Sequence, residues 1–63
     1  MLIPVKDLRL EDVIIYKGQG FVAERLALIH KGVEVVGRST NDSDVYRIFT
    51  LPAYGEVTIN SRS

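Results

Sequence analysis

Sixty-three residues allow one domain, 1–63, with a thin core, because a chain this short withdraws only roughly 60% of its surface from water on folding. With no cysteine there is no disulfide, and one histidine without thiolates falls short of a structural zinc site, so self-association or dense packing is left to stabilise the fold. Eight Lys and Arg against eight Asp and Glu create no net field for a polyanion or an anionic membrane, which disfavours sequence-independent nucleic-acid binding.

No apolar run has the length of a membrane span, and Met1–Val5 lacks the charged, apolar and small-residue regions of a signal peptide. The expected location is therefore the cytoplasm. Hydrophobic residues make up 46% of the chain, more than a small β domain can turn inward, so some apolar surface is expected to face a protein partner or a second copy in a homo-oligomer.

Met1 to Glu11 carries Ile3, Val5, Leu8 and Leu10 around Pro4, the pattern of an extended lead-in with a tight turn. Asp12 to Tyr16 is the first strand, and Lys17-Gly18-Gln19-Gly20 supplies two glycines for a reversal. Phe21 to His30 reads as a long strand, with Val22, Leu26 and Leu28 on one face and Phe21, Ala23, Arg25, Ala27 and Ile29 on the other. The same stretch also satisfies a helix over about residues 21–31, rich in helix formers and closed by Lys31-Gly32, although Gln19 and Gly20 are poor N-caps. Val33 to Arg38 is a valine-rich strand and Ser39 to Ser43 a polar loop, in which the glycosylation-like Asn41-Asp42-Ser43 reads as a turn. Asp44 to Thr50 is strand-like, Leu51-Pro52-Ala53-Tyr54-Gly55 breaks it with a turn read as one turn of 3₁₀ helix, and Glu56 to Asn60 alternates as a half-buried last strand.

The order predicts an all-β fold, a small five-stranded SH3-like barrel with a one-turn 3₁₀ helix before the last strand; the alternative is α+β with the helix over 21–31. In the lead-in Val5-Lys6-Asp7-Leu8-Arg9-Leu10-Glu11-Asp12-Val13-Ile14 and the closing runs Phe49-Thr50-Leu51-Pro52-Ala53 and Glu56-Val57-Thr58-Ile59, the chain resembles small SH3-like accessory proteins encoded by bacteriophages and mobile elements. Glu11 stands where such proteins commonly place a glycine. The resemblance implies a viral protein acting in the host cytoplasm, with a host enzyme or defence protein as a partner that it inhibits, and it transfers no functional residues.

Histidine is the residue type suited to a general base or a pH sensor, and His30 is the single copy, yet no nucleophile or orienting carboxylate accompanies it, and Ser39, Ser43, Ser61 and Ser63 fall in loop or tail. Asn41, Asp42 and Asp44 offer oxygens to a cation, but the glycine and closing glutamate of an EF-hand loop are missing. Glu11 and Asp12 read as carboxylates at a strand entrance. Gly18-Gln19-Gly20 lacks the remainder of a phosphate-binding fingerprint and reads as a hairpin turn. No catalytic residue, metal ligand or cofactor is assigned, and a non-enzymatic binding role is expected.

The aromatic residues Tyr16, Phe21, Tyr46, Phe49 and Tyr54 fall at or near strand ends. With Ile48, Val57 and Ile59 turned inward, Tyr46 shares the inner face and Phe49 turns outward, while Tyr16 and Tyr54 form a shared exposed patch of the kind that grips proline-rich peptides. Arg25, Arg38 and Arg47 on neighbouring strands would make a basic strip for single-stranded nucleic acid, diluted by Glu24, Glu34 and Asp44. The candidate partner-binding residues are Tyr16, Tyr46, Tyr54, Phe49 and Arg47.

Overall fold

The computed structural model of the chain describes residues 1–60. They form one antiparallel sheet of six strands, β1 Leu2–Pro4, β2 Val13–Tyr16, β3 Gln19–Ile29, β4 Gly32–Ser39, β5 Tyr46–Leu51 and β6 Glu56–Ile59, in the order β1-β6-β2-β3-β4-β5. The all-β expectation holds. The alternative helix over 21–31 is overturned, because β3 gives its backbone groups to β2 on one side and β4 on the other.

Three finer expectations are corrected. A sixth strand, β1, lies in the lead-in, and it pairs with β6 through Leu2↔Thr58, Ile3↔Val57 and Pro4↔Glu56. The 3₁₀ element is Val5–Asp7, not the segment before the last strand, where Pro52–Gly55 is a turn closed by the Gly55 amide donating to the Pro52 carbonyl at 3.1 Å. No pairing joins β1 to β5, so among the described residues the sheet ends on two open edges and hydrogen bonding does not close it into a barrel.

Local chemistry explains the lead-in. The Val5 amide donates to the Gly55 carbonyl at 3.0 Å, and the Leu8 amide to the Val5 carbonyl at 3.1 Å, which anchors the 3₁₀ turn against the residue that leads into β6. The Arg9 amide then donates to Asp12 Oδ2 at 3.0 Å, so this buried carboxylate holds the Arg9–Asp12 turn. Glu11 takes the left-handed conformation there, φ 75°, and the tight turn forms without the expected glycine. The turn docks on β3 through the Glu11 amide to the Ala23 carbonyl and the Ala23 amide to the Asp12 carbonyl, both 2.9 Å.

Two of the three hairpins, β2–β3 and β3–β4, use two-residue loops. Between Tyr16 and its partner Gln19, Lys17 (φ 50°) and Gly18 (φ 79°) both take positive φ, the primed geometry that follows strand twist, while Gly20 already sits in the ladder opposite Ile15. His30 and Lys31 link Ile29 to Gly32. Gly32 has φ 145°, and a Cβ there would collide with the Leu51 carbonyl oxygen, so this position requires glycine.

Every strand contributes to one core of Ile3, Val5, Ile14, Phe21, Ala23, Val35, Phe49, Leu51, Val57 and Ile59. A single cluster fed by both edge strands means that the sheet curls around its contents. A β-bulge helps it bend: the register slips between Ala23 and Arg25, leaving Glu24 without an opposite number on β4. Before the bulge Phe21 and Ala23 point inward, and after it Leu26 does. The simple alternation expected for 21–30 is therefore corrected, with Phe21 and Ala23 on the same side as Leu26 and Leu28. On β5 the expected facing is inverted. Phe49 and Leu51 are buried, while Tyr46 and Ile48 are exposed.

Candidate interaction surface

Beyond the bulge, β3 runs on past the end of its pairing with β2, joined to β4 alone, and Leu28, paired with Val33, remains 84% exposed on its concave side. Below it Val5 is buried, and Leu8, Leu26 and Val33 pack against the core with part of their surface open. The Pro52–Gly55 turn supplies the far wall, because its hydrogen bond holds Ala53 and Tyr54 outward. The result is a groove of about 440 Å³ whose floor is apolar and whose rim carries Lys6 and Tyr54. A second hollow of about 280 Å³, lined by Pro4, Gly55 and Glu56, shares Lys6, Ala53 and Tyr54 with the first. Tyr54 is fully exposed, at 103%, and stands as the ridge between the two.

Tyr16 lies elsewhere. Its ring stacks on Phe49, with centroids 4.2 Å apart and planes 10° from parallel, and Lys17 Nζ sits 5.6 Å above it. Together with Lys17, Gln19, Phe21 and Arg47 it lines a shallow hollow of about 110 Å³. The expected patch shared by Tyr16 and Tyr54 is thus two separate surfaces. Phe49 is buried between Tyr16 and Phe21, with centroids 5.8 Å from the latter, and serves the core in place of a partner. Tyr46 is exposed on β5, next to Arg38 of β4.

The three arginines do not form a strip. Arg38 is engaged by Glu24, Nε to Oε1 3.2 Å, on the outer face, whereas Arg47 lines the Tyr16 hollow. His30 is exposed on its turn. The Asp42 carboxylate accepts the Asp44 amide at 3.0 Å and Ser39 Oγ accepts the Asn41 amide at 3.2 Å, so these side chains order the loop they stand in. Among the described residues no cluster of three His, Cys, Asp or Glu could hold a metal ion, and no helix is long and apolar enough to cross a membrane. Ser61 and Ser63 lie outside the described residues.

Leu26, Leu28 and Lys6 are the surface residues that the sequence reading passed over. Their signal was available in part: Leu28 follows Leu26 at strand spacing, one step from a two-residue turn, where a long strand outruns its shorter neighbour. The class defined here is a small all-β protein on a single curled antiparallel sheet. Comparison with protein-family models, with curated proteins and with solved structures gives no match.

Proposed function

We infer that the chain is a non-enzymatic protein-interaction module that receives an extended, apolar segment of a partner protein in the groove below the β3–β4 hairpin. The observation that carries this reading is Leu28, 84% exposed above an apolar floor and opposite a fully exposed Tyr54. A leucine left in water beside a concave apolar surface is stabilised when a second chain covers both. Two hollows separated by an aromatic ridge suit side chains spaced along an extended or polyproline II peptide, with Lys6 at the rim for a carboxylate.

The finer fold reading supports the same function. The last strand lies beside β2, the first strand after the lead-in, as in SH3-like barrels, and we read the chain as an SH3-like variant with one added edge strand. The resemblance to phage-encoded accessory proteins then makes a host protein the source of the segment.

A peptide array probed with the purified chain tests the groove. Wild type should retain a set of apolar, proline-containing peptides that Leu28→Glu and Tyr54→Ala each lose, with circular dichroism unchanged. Equal retention by wild type and both variants would remove the groove from consideration.

A further inference from the structure

The β5 strand is the long open edge of the sheet, and among the described residues only β4 pairs with it. The Ser39 amide donates to the Val45 carbonyl at 2.9 Å, so by alternation positions 47, 49 and 51 turn their backbone groups toward β4. By the same alternation Tyr46, Ile48 and Thr50 aim N–H and C=O away from the sheet. Ile48 is 65% and Tyr46 56% exposed on the outer face. The opposite edge is built differently, since β1 has three residues and ends at Pro4, which has no N–H to offer. The β5 strand carries no proline and no lysine to blunt it.

We propose that β5 pairs antiparallel with β5 of a second copy of this chain, about a twofold axis at Ile48, to make one continuous sheet. In this register Tyr46, Ile48 and Thr50 face Thr50, Ile48 and Tyr46 of the second copy, and each pair can exchange two main-chain hydrogen bonds. Neighbouring twofold registers are worse. Centring on Arg47 sets guanidinium opposite guanidinium, and centring on Phe49 sets Tyr46 opposite Pro52, which has no donor. The chosen register also joins the outward pair Val36 and Ile48 to its symmetry mate as one apolar row. Charge agrees with it. The antiparallel arrangement brings the Asp42 and Asp44 loop of one copy beside the His30-Lys31 turn of the other, across two strand spacings or roughly 10 Å. The interface uses the edge and the outer face, so it leaves the groove free and stands independently of the peptide reading.

Light scattering after size exclusion, over a dilution series, should find a dimer that dissociates on dilution. Ile48→Lys should weaken it by about tenfold or more. Ile48→Pro should do the same, because the lost N–H points outward and the β4–β5 ladder does not use it. The chain has no cysteine, so Ile48→Cys should form a disulfide-linked dimer under mild oxidation, with paired Cα atoms about 5.5 Å apart. Tyr46→Cys and Thr50→Cys should each stay unlinked alone and link when mixed. A monomer at every concentration, a dimer abolished by Leu28→Glu, or no Ile48→Cys cross-link would overturn the proposal. If the proline variant does not fold, the lysine and cysteine variants carry the test.

Discussion

Gly37 makes the room in which the two phenylalanines meet. A Cβ at Gly37 would lie 2.7 Å from Phe21 Cβ and 3.5 Å from Phe49 Cε1, and the first of these atoms is fixed to its backbone and cannot swing aside. Gly37→Ala should therefore lower stability by about 1–3 kcal/mol in urea titration, an overpacking cost paid although the added group is apolar. Glu11 presents the opposite case. It holds φ 75° without hydrogen-bonding help of the Asn or Asp type, and Glu11→Gly should raise stability by about 0.5–1 kcal/mol, the left-handed cost removed less the entropy glycine adds to the unfolded chain. Differential scanning calorimetry would read this as a higher Tm. The facing of Phe49 was not legible beforehand because β5 is apolar at both parities, Tyr46 and Ile48 on one and Phe49 and Leu51 on the other. Packing decides, and the decisive partners, Tyr16 and Phe21, are far away in sequence.

Among the elements, β3 shows how one extra residue reshapes a surface. The bulge at Glu24 places Glu24 and Arg25 together on the outer side, so that Glu24 meets Arg38 while the strand bends and carries Leu26 and Leu28 over the groove. The ion pair itself contributes little, since both side chains remain about one-third exposed, 37% and 31%. Glu24→Gln should change stability by less than about 1 kcal/mol in thermal melts and leave the bend in place. Most strands and both two-residue turns were legible from turn residues and alternation. The bulge was not, because an added residue in a strand leaves no mark of its own on composition or period. The β1 strand was hidden for another reason: three residues ending in proline read as a lead-in, and only the exposed flank of β6 makes them a strand.

At the scale of the whole molecule, an even charge balance and an Arg38 already engaged leave little to attract a polyanion. Titration with labelled single-stranded and double-stranded oligonucleotides at low salt should give no saturable binding, and saturable binding there would favour a nucleic-acid role. The excess of apolar residues was legible as a need for contact, but its location was not, because it depends on where the curled sheet stops covering its own hairpin. The separation of the three tyrosines has an optical consequence. With no tryptophan in the chain, ultraviolet emission comes from tyrosine alone, and the three rings differ sharply: Tyr16 stacked, Tyr46 half open, Tyr54 bare to solvent. Mild nitration should modify Tyr54 first and Tyr16 last, as peptide mass mapping would show. The molecule thereby carries a native fluorescent probe at the ridge of its groove, one whose quenching or shielding would register an arriving guest without any dye.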